Sequence, residues 1–189
     1  AVLLRADGAN FSFGGDLKSF HPVRDDLAPL VRRWTADLHM GLQRAWHLPV
    51  PIVVAVQGYA MGGGVALLAG CDVVVAGESA KFGSAFAQLG FSCDSGSSAT
   101  LTARMGPVRA KRFVLLAEVL KSQEALAAGL ADRVVADDRL QAEALDRFVP
   151  IHRTCRQVPT IVADQRRQRV PVDPDQCAPR IARQTTDGV

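Results

Sequence analysis

Three consecutive glycines, Gly62, Gly63 and Gly64, follow the apolar run "PIVVAVQG" and precede the run "VALLAG". Each glycine inside a helix costs about 1 kcal/mol relative to alanine, so glycines where a helix begins need a reason. Glycines at such a junction leave free backbone N–H groups at the positive end of the helix dipole. Those groups could bind a phosphate or the oxygen of a polarised carbonyl, and close packing of a strand on a helix would also require glycine.

A second glycine turn occurs in the segment "FSFGGDL" (residues 11–17), which also follows an apolar run. Neither turn matches a nucleotide-binding motif, because the chain has no GxxxxGK[ST] sequence and "GYAMGGG" lacks the GxGxxG spacing. Two glycine turns that each follow a strand of one sheet could instead direct two N–H groups at one point. That is the geometry of an oxyanion hole, in which each donor stabilises an enolate-like charge by about 3–4 kcal/mol.

The elements that must position these turns can be predicted from the apolar pattern. Strands are predicted at "AVLLR", "IVVAV" and "DVVVAG", each apolar on both faces. A helix is predicted from Asp25 to about His47, because apolar residues recur there at helical spacing. Strands that are apolar on both faces and alternate with helices indicate a mostly parallel sheet flanked by helices.

The second half of the chain is less regular. Residues 78–106 are rich in glycine and serine and are predicted to form loops around short helices. Helices are then predicted at 107–120, 122–129 and 137–148, with a strand at 130–135.

After Val149 the sequence is rich in Arg, Pro, Gln and Asp, and only "PTIVA" has the composition to pack against a core. We therefore predict a core at residues 1–149 and a loosely ordered C-terminal arm at residues 150–189.

The bulk composition is typical of a globular domain. The 189 residues are 48% hydrophobic and 22% charged, which suffices for one domain with a sizeable core. The net charge of +3 is too small to argue for a nucleic-acid partner, and no apolar run approaches the roughly 20 residues of a membrane span. The four cysteines lack metal-ligand spacing, and no export signal is visible. These features predict a reduced cytoplasmic protein with no metal site.

Three ordered segments, "FSFGGDL", "PIVVAVQGYAMGGGVALLAGCDVVVAGESAKFG" and "AAGLADRVV", resemble the crotonase (enoyl-CoA hydratase/isomerase) superfamily over about residues 1–145. The resemblance implies an α/β fold, a crotonase-like spiral of ββα units, usually assembled as a homo-trimer or a hexamer. It implies acyl-CoA thioesters as ligands, with coenzyme A as part of the substrate and no further cofactor. It also implies that the backbone N–H groups of Gly15 and Gly63 hold the thioester oxygen.

Hydratases of this family use two glutamates, and this chain has Ala66 and Phe86 at those positions. Adding water to a double bond needs one group to activate the water and one to deliver the proton, so ordinary hydratase activity is not expected. The remaining acid is Asp94, which by residue type could also be a helix N-cap. Its "DSG" context is similar to that of family members in which one acid shuttles a proton between carbons. The resemblance therefore predicts an enoyl-CoA isomerase with Asp94 as the catalytic acid and base.

Two alternatives remain open. In the 4-chlorobenzoyl-CoA dehalogenase branch, the aspartate matching Asp94 attacks the aromatic ring and a histidine at the position of His39 activates water, although that branch has a tryptophan in place of Phe86. Family members also normally carry further strands and a helix before "AVLLR". The chain could therefore be a catalytically impaired scaffold or fragment with exposed edge strands. In each case Phe13, Ala66, Phe86 and His39 are expected to line the substrate pocket.

Overall fold

The computed structural model describes residues 1–20, 22, 27–152 and 160–163 of the chain. Within those residues the strands are β1 (Val2–Ala6), β2 (Ile52–Val56), β3 (Tyr59–Met61), β4 (Val73–Gly77), β5 (Lys81–Gly83), β6 (Val119–Lys121), β7 (Arg133–Val135) and β8 (Thr160–Ala163). The α-helices are α1 (Leu17–Phe20), α2 (Leu27–Trp46), α3 (Gly63–Ala69), α4 (Ser97–Met105), α5 (Pro107–Leu115), α6 (Ser122–Ala127) and α7 (Leu140–His152).

The main sheet has the strand order β7-β4-β2-β1-β8, and every neighbouring pair in it is parallel. Val54 at the centre of β2 pairs with Leu4 of β1 on one side and with Val74 of β4 on the other. All five residues of β2 are buried, as expected for a strand covered on both faces. The predicted parallel sheet flanked by helices is therefore confirmed.

Alternate residues of β2 face opposite sides of the sheet, since the side-chain period of a strand is two. On one side, Val54 belongs to a buried cluster that includes Leu68 of α3 and Phe113 of α5. On the other side, Val53 belongs to a second cluster with Leu140 of α7. The helices on both faces of the sheet therefore pack against the same apolar strand.

A second, smaller sheet has the order β3-β5-β6, with β3 parallel to β5 and β6 antiparallel to it. The sequence pattern did not predict these strands, because three residues are too few to show a period. The helix predicted over residues 107–120 was wrong in its last part: α5 ends at Leu115, and Ala117 has a left-handed backbone (φ +48°). The chain then forms β6, where Lys121 pairs with Lys81 of β5. Pairing with a distant strand therefore overrides the helical pattern.

The segment "PTIVA" of the predicted arm contributes β8 to the main sheet, with Thr160 paired to Leu3 and Ala163 paired to Ala6. Strand β1 consequently has a partner on both sides, so the exposed edge expected there is absent from the described part of the chain. The rest of the arm lies outside the described residues, and the division into residues 1–149 and 150–189 stays a prediction.

Helix α2 starts at Leu27 within the described residues, and the start predicted at Asp25 lies outside them. Of its 20 residues only Leu42 is buried, although the sequence has an apolar stripe along the helix. Among the described helices, none combines the length and the apolar character that crossing a membrane requires.

Candidate functional site

The two glycine turns start from the same edge of the main sheet. Strands β1 and β2 are parallel neighbours, so the segments after Ala6 and Val56 begin side by side. Gln57 fastens them together, because its side-chain amide donates to the carbonyl oxygens of Ala6 (2.8 Å) and Gly8 (3.0 Å). Further on, the Met61 N–H donates to the Ser12 carbonyl at 2.8 Å. Adjacent parallel strands thus bring two segments about fifty residues apart in sequence into contact.

The glycines of the two turns are in direct contact. A Cβ atom on Gly14, whose φ is +81°, would lie 2.9 Å from the backbone nitrogen of Gly63. A Cβ atom on Gly64 would lie 2.7 Å from the Cβ of Ser12. The interpretation that these glycines permit close packing is therefore confirmed, and Gly62 in addition has a positive φ of +53°.

Gly15 and Gly63 border the same cavity, one from each turn. Within the described residues, neither backbone N–H donates a hydrogen bond to another residue. Gly63 is the first residue of α3, so its N–H has no partner inside the helix. Two backbone donors are therefore available to a ligand in this cavity.

The cavity has a volume of about 410 Å³ and mostly apolar walls. Its aromatic lining residues are Phe13, Phe20, Trp34, Phe86 and Phe91. The rings of Phe20 and Trp34 stack with their centroids 5.6 Å apart, which joins α1 to the middle of α2. Phe86 lines the cavity as predicted and is only 7% exposed. The aromatic walls favour an apolar ligand.

Asp94 is the acidic side chain among the described residues that line the cavity. Its carboxylate Oδ1 accepts a hydrogen bond from the Ser95 hydroxyl at 3.0 Å. Helix α4 has Gly96 as its N-cap, and the Asp94 backbone carbonyl, rather than its carboxylate, accepts from the Ser97 N–H. The alternative that Asp94 serves as a helix N-cap is therefore wrong. Its carboxylate remains available to a ligand.

Two residues predicted to line the pocket, Ala66 and His39, are not among the described residues that line this cavity. Ala66 is fully buried in α3. His39 lies on α2, and its Nε2 accepts a hydrogen bond from the Ser95 N–H at 2.9 Å. His39 therefore lies close to Asp94, but its hydrogen bond is to the next residue, Ser95.

Several lining residues were not predicted from sequence. Trp34 and Leu38 belong to the apolar stripe of α2, which predicts that they share one face but not that this face borders a cavity. Phe20, Phe91 and Ser95 lie in segments without a clear period. The positive φ of Ser95, +53°, has no counterpart in the sequence pattern.

Cys71 and Glu118 have shifted pKa values, and both lie outside this cavity wall. Burial raises the pKa of the Cys71 thiol to about 12, so this cysteine stays protonated and does not act as a nucleophile near neutral pH. Hydrogen bonds from Arg109 and Arg112 lower the pKa of Glu118. The described residues also contain no group of three or more His, Cys, Asp or Glu side chains placed to hold a metal ion.

Comparisons with known proteins agree with the geometry. The sequence profile of the enoyl-CoA hydratase/isomerase family matches residues 1–175. A Rhizobium meliloti protein named "Probable enoyl-CoA hydratase" is 34% identical over 145 residues, which is 77% of this chain and 54% of that protein. Mevalonyl-coenzyme A hydratase of Aspergillus fumigatus is 33% identical over 152 residues, covering 80% of this chain and 55% of that enzyme. The chain thus spans about half the length of the curated relatives it matches.

Solved structures show the same fold. Enoyl-CoA hydratase from Bacillus anthracis superposes with a TM-score of 0.75 at 29% identity, covering 79% of this chain and 58% of that one. A Thermobifida fusca protein assigned as an enoyl-CoA hydratase, solved in complex with acetoacetyl-CoA, superposes with a TM-score of 0.72 at 28% identity. It is matched over 79% of this chain and 62% of its own. The two contacting glycine turns, the fold and the sequence profile agree, and the chain belongs to the enoyl-CoA hydratase/isomerase family, with the crotonase fold.

Proposed function

We propose that this chain binds an acyl-CoA thioester and acts as an enoyl-CoA isomerase, with Asp94 moving a proton between two carbons of the acyl group. The observation that carries the proposal is a single cavity bordered by the glycines of both turns and by one carboxylate. No second acidic side chain lines that cavity among the described residues. One carboxylate suffices for a proton shuttle.

In the proposed reaction, the thioester oxygen accepts hydrogen bonds from the N–H groups of Gly15 and Gly63. With a 3-enoyl thioester, Asp94 removes a proton from the carbon between the carbonyl and the double bond. The electron pair moves onto the thioester oxygen, and the two N–H groups stabilise the resulting enolate. Protonated Asp94 then returns the proton to the fourth carbon, which leaves the double bond conjugated with the carbonyl and Asp94 ionised again.

The residues around Asp94 support isomerisation over hydration. The positions at which the family's hydratases carry glutamates hold Ala66 and Phe86 here, so no carboxylate stands there to activate water. Both residues are buried, and Phe86 contributes an apolar side chain to the cavity wall. The relatives reported above are named as hydratases, whereas the residues of this cavity favour isomerisation.

The dehalogenase alternative receives less support from the geometry. It needs His39 to take a proton from water, whereas His39 Nε2 already accepts the Ser95 N–H. The alternative of a scaffold without turnover shares the predicted binding of an acyl-CoA and differs from the isomerase only in turnover. Binding and turnover must therefore be measured separately.

The test is a turnover assay on a 3-enoyl-CoA, followed by the ultraviolet absorbance of the conjugated product. We expect activity in the unaltered chain and a loss of about 100-fold or more in kcat/KM in Asp94→Asn, which keeps the shape but not the proton acceptor. Asp138→Asn, at an exposed aspartate that does not line the cavity, is the matched control and should retain full activity. Full activity in Asp94→Asn would contradict the mechanism.

Binding is tested independently with a saturated acyl-CoA, which cannot isomerise. We expect it to raise the melting temperature of both the unaltered chain and Asp94→Asn, because the Gly15 and Gly63 donors are intact in each. Stabilisation without turnover would favour the scaffold alternative. The absence of any stabilisation would contradict acyl-CoA binding itself.

A further inference from the structure

The turn that carries Asp94 is held by helix α2 through two contacts. The backbone N–H of Ser95 donates to His39 Nε2 at 2.9 Å. One residue further on, a Cβ atom on Gly96 would lie 3.0 Å from the ring of Trp46. His39 and Trp46 are seven residues apart on one helix, which is two turns, so both lie on the same face of α2.

The backbone of this turn needs external support. Ser95 has a φ of +53° and Gly96 a φ of +71°, so two consecutive residues are left-handed. Serine rarely adopts this conformation, and such residues persist where surrounding contacts over-determine them. Ser95 is 1% exposed, and its hydrogen bond to His39 is the contact from outside the turn that fixes the peptide group joining it to Asp94.

The Asp94 carboxylate depends on the same turn. The Ser95 hydroxyl donates to Asp94 Oδ1 at 3.0 Å, while the Asp94 carbonyl accepts from the Ser97 N–H (2.9 Å) and from the Ser97 hydroxyl (2.6 Å). The peptide group between Asp94 and Ser95 is thus held at its carbonyl by Ser97 of α4 and at its N–H by His39 of α2. If Ser95 left its left-handed conformation, its hydroxyl and the carboxylate that it contacts would move together.

The protonation of His39 in this arrangement follows from its partner. A backbone N–H can only donate, so the Nε2 that it contacts must be the unprotonated nitrogen of the ring. The proton of the neutral imidazole therefore lies on Nδ1. In this state Nε2 has no free lone pair with which to activate water.

We propose that His39 is a positioning residue, which accepts the Ser95 N–H through Nε2 and thereby holds the left-handed turn that presents Asp94 to the cavity. Trp46 packs under the same turn at Gly96. His39 touches the turn and not the cavity, so it acts through Asp94 and not on the substrate. The kinetic consequence rests on the isomerase function proposed above, whereas the tautomer and the turn geometry do not.

The kinetic test compares His39→Leu, which removes the acceptor, with His39→Gln, whose Oε1 can accept in the same place. We expect His39→Leu to lower kcat about 10- to 100-fold with KM little changed, because a misplaced catalytic group affects the chemical step. His39→Gln should restore most of that loss. His47→Leu is the matched control, since His47 is exposed just after α2 and its ring hydrogen-bonds to the Gln43 carbonyl rather than to the turn at Ser95. Unchanged kcat in a folded His39→Leu would overturn the proposal, as would His39→Gln no better than His39→Leu.

A spectroscopic test on the unaltered chain does not depend on turnover or on a variant that folds. Nitrogen-15 NMR of the His39 imidazole should show a protonated Nδ1 and an unprotonated, hydrogen-bonded Nε2, and the Ser95 amide should exchange slowly. A protonated Nε2 in the neutral ring, or a rapidly exchanging Ser95 amide, would overturn the proposal. If the chain shows no isomerase activity but this signature is present, the positioning of the turn stands and the proposed function fails.

Discussion

At the residue scale, the two glycine turns combine close packing with unpaired backbone donors. Gly14 and Gly64 allow one turn to touch the other, while Gly15 and Gly63 border the cavity and their N–H groups have no partner among the described residues. These roles fall on adjacent residues because the segments that touch each other are the same segments that border the cavity. A side chain at Gly14 would therefore displace the backbone N–H of Gly63, which belongs to the other turn.

Gly14→Ala should lower the free energy of unfolding by about 2–4 kcal/mol, because the new Cβ meets backbone atoms at 2.9 and 3.0 Å and φ is +81°. Gly8→Ala is the matched control. Gly8 has a similar φ of +93°, but a Cβ there meets nothing within 4 Å, so only the backbone strain of about 1 kcal/mol is expected. Urea unfolding measures both. Equal losses in the two variants would show that the contact between the turns is unimportant.

At the scale of elements, α2 shows why an apolar stripe has more than one outcome. Its spacing predicts a helix that buries one face, yet only Leu42 is buried. Trp34 and Leu38 on the stripe border the cavity instead, and both stay exposed. Periodicity reports which residues share a face. It does not report whether core or cavity lies opposite.

Helix α4 is tied to its neighbours by Arg104, whose side chain is only 12% exposed. Its guanidinium donates to the carbonyl oxygens of Ala69 (3.0 Å) and Cys71 at the end of α3. It also pairs at 3.1 Å with Asp132, which in turn accepts the Val74 N–H of β4. One side chain thus joins α4, α3 and the main sheet.

Arg104→Leu should destabilise the fold by about 2–4 kcal/mol, because two carbonyl groups and a carboxylate lose a charged donor. Arg112→Leu serves as the control. The side chain of Arg112 is 66% exposed in its ion pair with Glu118, so its loss should change stability little. The midpoints of urea unfolding for the two variants are the measurement. A larger loss in Arg112→Leu than in Arg104→Leu would contradict this view of α4.

At the scale of the whole molecule, the main sheet joins segments from both ends of the described chain. Strand β8, from residues 160–163, lies beside β1, from residues 2–6. The parallel pairing covers the main-chain groups that β1 turns away from β2. An uncovered strand at this position would be a template for association between chains.

Two shortened chains test the contribution of β8. A chain of residues 1–163 keeps β8 and removes only residues beyond the described part, whereas a chain of residues 1–152 removes β8 as well. We expect the 1–152 chain to be less stable than the 1–163 chain by about 1–4 kcal/mol, since it loses a set of backbone hydrogen bonds. It should also associate at lower concentration, measured by size-exclusion chromatography with light scattering. The same stability and association in both chains would mean that β8 contributes little.

The amino-acid sequence by itself determined the features that depend on local pattern and residue type. The parallel sheet follows from strands apolar on both faces, and the two glycine turns follow from their composition. The absence of glutamates at positions 66 and 86 can be read without any coordinates. These predictions needed only residues that are neighbours along the chain.

The tertiary structure alone decided the contacts between distant segments. The hydrogen bond from Ser95 to His39 spans 56 residues, and the left-handed backbone of Ser95 has no sequence signal. The same is true of β8, which pairs with β1 across almost the whole described chain. A sequence pattern records which residue types recur, but the partner of each group depends on how the elements pack. That is why Asp94 could be proposed from the sequence as the acid, whereas the left-handed turn beside it became known only from the fold.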